Sequence, residues 1–235
     1  MIQTLSDCLK AENISLTDNQ LSQFSVYSDL LVEWNKNINL TAITEPCEIA
    51  TKHFADSLYG EKYINPGASV IDVGTGAGFP GIPLKILRPD INLTLLDSLN
   101  KRLNFLNEVI KELKLSDVKT VHSRAEDGAK PKSNYREKYD VAVSRAVSRL
   151  NVLAEYCIPY LKVGGVFLAY KGPDVNDEVV SAKNAVKTLG GEISDIFEYT
   201  IPTTDITHSI VVIQKVKPTS DIYPRLNGKI NKKPL

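Results

Sequence analysis

Val70-Ile71-Asp72-Val73-Gly74-Thr75-Gly76-Ala77-Gly78-Phe79-Pro80-Gly81 decides the fold. A short apolar run feeds an acidic residue, then a glycine-dense turn, then a helix start. Parallel α/β folds open a pocket for an adenosine-containing cofactor in this way. Glycines permit positive φ and close backbone approach to a ligand. Asp72 selects among cofactors. A dinucleotide places its pyrophosphate at this turn, against the helix N-terminus. A carboxylate ~4 Å away would cost about 4 kcal/mol at an effective dielectric near 20. S-adenosyl-L-methionine has no phosphate, and its sulfonium and ammonium both suit a nearby carboxylate.

Gly76 to Gly81 also satisfies G-x-G-x-x-G, the nicotinamide fingerprint, but the first glycine after the strand is Gly74. Counted from Gly74, the sixth position is Phe79, where that fingerprint requires Gly or Ala. Asp-x-Gly-x-Gly-x-Gly describes the segment better. A methyltransferase, a nicotinamide or flavin enzyme and a purely structural turn all stay open on this motif alone.

Composition sets the bounds. The 235 residues suit one domain with an extension, or two small ones. A hydrophobic content of 43% with 24% charged residues is ordinary for a globular protein. No apolar run has membrane-spanning length. Met1 to Lys10 lacks the basic start and apolar centre of a signal peptide, so a cytoplasmic protein is expected. Cys8, Cys47 and Cys157 are widely spaced and read as reduced structural thiols, with no metal site expected. The net charge of zero argues against a generic polyanion binder. Its distribution is uneven: residues 215–235 carry six Lys or Arg against one Asp, and the remainder is correspondingly acidic. A basic C-terminal segment fits nucleic-acid contact or a solvated tail equally.

Three regions follow: a helical extension over 1–65, an α/β domain over 66–216, and a basic tail over 217–235. In the extension, Leu21, Phe24, Tyr27, Leu31 and Trp34 form one helix face, capped by Thr17 or Asp18. A second short helix is expected from Pro46 to Tyr63. Strands are expected at 69–73, 92–97, 118–122, 139–144 and 165–170. Helices are expected at 80–87, 100–113, 150–161 and 174–189. Leu99, Leu103, Leu106, Ile110 and Leu113 should share one buried face. Two last strands, 192–201 and 208–216, have no helix between them and form an antiparallel hairpin. The expected fold class is α/β with a Rossmann-like, mostly parallel seven-stranded sheet, the arrangement of class I S-adenosylmethionine-dependent methyltransferases and less usual in dinucleotide folds.

Candidate site residues lie where the strands end. Asp97 ends the second strand, where an acidic residue hydrogen-bonds ribose hydroxyls. Ser123 to Asp127 follow the third strand and could meet an adenine edge. Ser144-Arg145-Ala146 ends the fourth, where a transferable methyl should point, and the Arg145 fork could orient a guanine or phosphate. Lys171-Gly172-Pro173 ends the fifth and lines the same edge. His53, His122 and His208 show no metal-ligand spacing, with His53 the strongest functional candidate. No Asp/Asn-Pro-Pro-aromatic run, Pro-Cys dipeptide or phosphate loop is present. An acceptor needing no strong base remains, and guanine N7 has a free lone pair at neutral pH. Transfer would then rest on proximity and orientation.

Taken together, the chain resembles the ribosomal RNA small subunit methyltransferase G family, formerly called glucose-inhibited division protein B. The matching pieces are Trp34-Asn35, Asn39-Leu40-Thr41, His53 to Ser57, and Asp72 through Pro83. They continue with Leu96-Asp97-Ser98, Lys101-Arg102-x-x-Phe105-Leu106, Arg124-Ala125-Glu126, Ser144-Arg145-Ala146 and Lys171-Gly172. Tyr223-Pro224-Arg225 and Lys232-Lys233-Pro234-Leu235 complete the match. The likeness runs from about Leu30 to the last residue. It implies a bacterial cytoplasmic enzyme that methylates N7 of guanine 527 in the 530 loop of 16S rRNA, using S-adenosyl-L-methionine and no metal. The implied cofactor contacts are Gly74, Phe79, Ala125, Glu126 and Arg145, beside Asp72, Gly76, Gly78 and Asp97. Arg145 and Lys171 are the substrate-orienting candidates. RNA contact is expected from Lys52, His53, Arg225, Lys232 and Lys233, and Arg225→Ala is expected to act mainly on RNA binding. Lys52 stands where the family often has Arg, and Thr75 where Ser is common. Small ribosomal subunits or their assembly intermediates are the implied partner, and a monomer is expected. A nicotinamide oxidoreductase, a non-catalytic RNA-binding module and a small-molecule methyltransferase are the competing readings.

Overall fold

A computed structural model describes residues 1–10, 12–145, 148–173, 175–201, 204–226 and 228–235. Seven strands form one sheet: β1 Ser69–Val73, β2 Asn92–Asp97, β3 Val118–His122, β4 Tyr139–Arg145, β5 Leu161–Lys171, β6 Gly191–Thr200 and β7 Thr207–Lys215. Their order is β3-β2-β1-β4-β5-β7-β6. The first five pair in parallel, and β7 runs antiparallel to both β5 and β6. The terminal hairpin is thus as the sequence indicated.

Strand alternation sends neighbouring residues to opposite layers. Val70, Leu93, Leu95, Val141 and Val143 face one core, and Ile71, Val73, Leu96 and Ala142 the other. The second layer is closed by α8 Leu150–Cys157 and α9 Asn176–Thr188. The first is closed by α5 Gly81–Leu87 and α6 Asn100–Glu112, and also by the N-terminal helices α1 Ile2–Lys10 and α2 Asp18–Asn35. The extension therefore shares its core with the sheet. Thr17 caps α2 through a reciprocal capping box with Gln20. Phe24, Tyr27 and Leu31 are fully buried, and Tyr27 lies 5.3 Å from Phe54, 5.5 Å from Phe79 and 6.4 Å from Phe105.

Two expectations are corrected. Pro46 to Tyr63 is not one α-helix: α3 Pro46–Glu48 opens into a π-helical segment, Ile49–Ala55, before α4 Asp56–Leu58 and a 3-10 turn at Glu61–Tyr63. The wide segment is held from outside, because Arg145 Nη1 donates to the Lys52 and His53 carbonyls at 3.3 Å each. Leu99 is not core. It precedes α6, stands 42% exposed, and lies on the lip of a cleft. Ala146 and Asp174 lie outside the described residues. Shorter helices complete the chain: α7 Ala125–Gly128 and α10 Lys229–Lys232.

Candidate cofactor cleft and methyl-transfer edge

Strand order reverses between β2-β1 and β1-β4, the topological switch point where α/β sheets bind ligands. An open cleft of about 710 Å³ lies there, over the ends of β1, β2 and β3. Gly74 and Asp97 form its floor, Ser123 to Asp127 one wall, and Tyr156 and Asn231 another. A second cleft, about 790 Å³, lies at the opposite end of the strands. Its ionisable groups have partners: Lys162 pairs with Asp140 at 2.8 Å, and Asp195 accepts from Tyr63 Oη at 2.7 Å.

The glycine turn is built against β2. Gly74 N and Thr75 N both donate to the Leu96 carbonyl, at 2.9 and 3.1 Å. Gly78 adopts φ of +99°, and a Cβ there would stand 2.6 Å from Tyr27 Oη and 2.8 Å from Leu106. Only glycine meets both demands. Tyr27 Oη donates to the Ala77 carbonyl at 2.5 Å, so the extension fixes the turn directly. Asp97 is 2% exposed; its Oδ2 accepts from Gly76 N at 2.9 Å and its Oδ1 from Leu99 N at 2.8 Å. Oδ2 also accepts from Arg102 Nη1 at 3.4 Å, and Oδ1 keeps a second lone pair for an incoming hydroxyl.

Asp72 is not in the cleft. Alternation turns it toward the layer beneath α5, where it is fully buried. Its Oδ2 accepts from Thr75 Oγ1 at 2.7 Å and from Gly81 N at 2.9 Å. Its Oδ1 is buried without a hydrogen-bond partner. Burial pushes its pKa up to about 7, against the downward pull of Thr75 and Gly81. Gly76, Gly78 and Phe79 likewise shape the turn and stay outside the cleft lining, whereas Gly74, Asp97, Ala125 and Glu126 are brought together in it.

Arg145 turns away from the cleft into a second cluster. Its Nη1 lies 2.8 Å from Asp56 Oδ2, its Nη2 donates to His53 Nδ1 at 3.2 Å, and its Cζ sits 4.8 Å over the Phe79 ring. His53 stacks on Phe79 at 4.5 Å, and its Nε2 meets Thr41 Oγ1 at 2.7 Å. With Nδ1 accepting, Nε2 carries the proton. Burial, then the Arg145 charge, holds the His53 pKa down at about 3, so its ring is neutral. Asp56 also accepts from Tyr199 Oη at 2.7 Å and meets His208 Nδ1 at 2.7 Å. Burial alone would raise the Asp56 pKa, but His208, Arg145 and Tyr199 outweigh it and lower it.

Two further expectations change. Lys171 is tied down: its Nζ pairs with Glu178 Oε2 at 2.8 Å and donates to the Ser148 carbonyl at 2.8 Å. Arg225 is ion-paired within the protein. Its Nε donates to Glu155 Oε1 at 2.9 Å and its Nη2 to Oε2 at 2.6 Å, and Glu155 is fully buried in α8. Of the expected RNA-contacting residues, His53 is half-buried, Lys52 pairs with Glu48, and Lys232 and Lys233 are exposed. Sequence reading missed Asp56 as a hub, and Tyr156 and Asn231 as cleft walls. An acid three residues after His53, within a mostly apolar stretch, was the available signal for the first. The walls had none, since residues remote in sequence build them. Among the described residues, no helix is long and apolar enough to cross a membrane, and no group of three or more His, Cys, Asp or Glu could hold a metal.

This sheet with its terminal antiparallel hairpin and switch-point cleft defines a class I S-adenosylmethionine-dependent methyltransferase fold. The crystal structure of M. jannaschii TYW2 in complex with AdoMet shares it, with a TM-score of 0.53, 16% identity, and coverage of 68% of this chain and 77% of that one. The profile of the family described as rRNA small subunit methyltransferase G (GidB) matches residues 20–207. The chain belongs to that family. It is 53% identical to the ribosomal RNA small subunit methyltransferase G of Desulforamulus reducens, over 99% of this chain and 97% of that one. It is 54% identical to the protein of that name from Alkaliphilus oremlandii, over 95% and 94%.

Proposed function

We propose that this chain transfers a methyl group from S-adenosyl-L-methionine to N7 of guanine 527 in the 530 loop of 16S rRNA. The observation that carries the reading is the cleft at the switch point, with a buried carboxylate, Asp97, on its floor. The donor set fits this cofactor better than a dinucleotide. Asp72 already occupies the Gly81 amide at the start of α5, where a pyrophosphate would have to bind, and its carboxylate would repel one. Asp97 would accept from a ribose hydroxyl through the spare lone pair of Oδ1, and Ala125 and Glu126 would border the adenine. When bound, the cofactor supplies an electrophilic methyl on a sulfonium.

The acceptor nitrogen needs no proton removed, so the residues have only to hold the base in line. Arg145, His53 and Phe79 would form the supporting edge for the guanine as positioning residues. Methylation at N7 leaves the base positively charged. That edge suits a cationic product: His53 is neutral, and the Arg145 charge is offset by Asp56 at 2.8 Å. A loop target fits because unstacked bases can be presented to a protein. The same reading makes the small ribosomal subunit or its precursor the partner, the protein a monomer, and the cytoplasm its place of work. Lys232 and Lys233, exposed beside the cleft, are the phosphate contacts, with Lys52 and His53 nearer the base.

The test is transfer of a labelled methyl from S-adenosyl-L-methionine to small subunits, or their RNA, from cells lacking the modification, with nucleoside mass spectrometry. One 7-methylguanine in the 530 loop is expected. Tight cofactor binding with no transfer to either substrate would sink the RNA assignment. Unchanged cofactor affinity in Asp97→Ala would remove Asp97 from the site.

A further inference from the structure

The basic tail does more than extend toward RNA. Gly228 and Asn231 line the same cleft as Gly74 and Asp97. Asn231 Nδ2 donates to Tyr156 Oη at 3.0 Å, and Tyr156 lines the cleft too. The segment that carries Asn231 is fastened on both sides. Arg136, buried, donates to the Thr219 carbonyl at 2.7 Å and to the Tyr223 carbonyl at 2.8 Å. Arg225 grips Glu155 and also donates through Nη1 to the Lys233 carbonyl at 2.9 Å, which closes the stretch around Asn231. Between them Ile230 is 1% exposed. A side chain held this way has a defined direction over the cleft.

Chemistry then narrows its role. Glu126 and Asp127 are acceptors only when ionised, and Arg102 and Arg124 are donors only. Among the described residues that line the cleft, Asn231 is the one carboxamide. A carboxamide presents a donor and an acceptor side by side, which matches the exocyclic amine of adenine and its neighbouring ring nitrogen. We propose that the C-terminal segment is the outer wall of the cofactor site and that Asn231 reads the adenine edge of the methyl donor. The inference rests on the cofactor reading above and adds the residue that distinguishes adenine from other bases.

The test uses two ligands, S-adenosylhomocysteine and its 6-oxo counterpart S-inosylhomocysteine, titrated by calorimetry into the full chain and into Asn231→Ala. The carbonyl of the second ligand replaces the donor that the carboxamide oxygen would accept from. The intact protein should prefer the adenosine ligand by roughly ten-fold or more, the range of one bidentate contact. In Asn231→Ala that preference should fall to within about three-fold, through weaker binding of the adenosine ligand alone. Because Asn231 is exposed, an unchanged melting temperature should accompany the change. Equal weakening of both ligands, or a retained preference, would overturn the inference and leave Asn231 as a strut for Tyr156. Failure of the intact protein to bind either ligand would instead refute the cofactor reading, and this inference with it.

Discussion

Replacing Arg225 with Ala tests how the tail is held. Glu155 is fully buried, and in the intact protein it accepts from Arg225 through the backbone N–H at 2.7 Å, Nε at 2.9 Å and Nη2 at 2.6 Å. The substitution removes both side-chain donors and the positive charge, and leaves the carboxylate with one amide. Breaking a buried pair from one side costs about 3–5 kcal/mol. The lower end applies, because the amide stays and the Arg225 side chain is 22% exposed, so water can reach the gap. For a chain of this size each kcal/mol lowers Tm by roughly 2–4 °C, so a drop of roughly 6–12 °C is expected by calorimetry or circular dichroism. Adding Glu155→Gln to Arg225→Ala removes the stranded charge and should recover part of the loss. If Arg225→Ala melts within about 1 °C of the intact protein yet loses RNA affinity and salt dependence, the ion pair is energetically idle. Arg225 would then be the RNA contact that its sequence position suggested.

Asp72→Asn should alter the pH dependence of stability. Because the folded pKa is raised from 3.8 to about 7, Asp72 contributes stability that is fully present below its unfolded pKa and is lost as pH rises through about 7. Asn can place its oxygen where Oδ2 accepts from Thr75 and Gly81, so the variant should gain on the intact protein between pH 4 and 7, by at most about 4 kcal/mol; urea titrations giving a pH-independent difference would refute the burial argument. Gly78→Ala should destabilise by several kcal/mol and weaken cofactor binding, since both its φ and the 2.6 Å approach of Tyr27 forbid a side chain; a variant with normal Tm and affinity would show the turn to be adaptable. Lys232→Ala with Lys233→Ala should leave Tm unchanged and reduce the salt slope of RNA binding by roughly 1.5, as expected for two lost phosphate contacts. An unaltered slope in filter-binding assays would remove these lysines from the interface.

What the sequence made legible was whatever one local pattern controls. Period-two alternation and the helix-free gap before β7 placed every strand within a few residues and gave the hairpin. The glycine turn and Asp97 marked the cleft. The direction of Asp72 was not legible, since β1 is buried on both faces and its apolar residues of either parity are core. Leu99 fits the apolar stripe of α6, yet the helix begins one residue later and leaves it on the rim. Arg145, Lys171 and Arg225 were read by type and position, as free cations at an edge. Their partners, Asp56, Glu178 and Glu155, come from other elements, and nothing in the local spacing names them. The π-helical segment was hidden for the same reason, because the guanidinium that supports it belongs to β4.

The fastening of the tail also has a temporal side. Arg136 waits for Tyr223 across 87 positions, and Glu155 for Arg225 across 70. A ribosome therefore makes all seven strands, and the floor of the cleft, before it makes the segment that walls it. Until that segment arrives, the Arg136 guanidinium keeps only the Ala129 carbonyl and the Glu155 carboxylate lacks its Arg225 partner, so both must stay hydrated in an incompletely packed layer. The order of synthesis thus separates two events, closure of the sheet and completion of the cofactor site. A chain released without residues 219–235 should hold adenosine more weakly than the full chain.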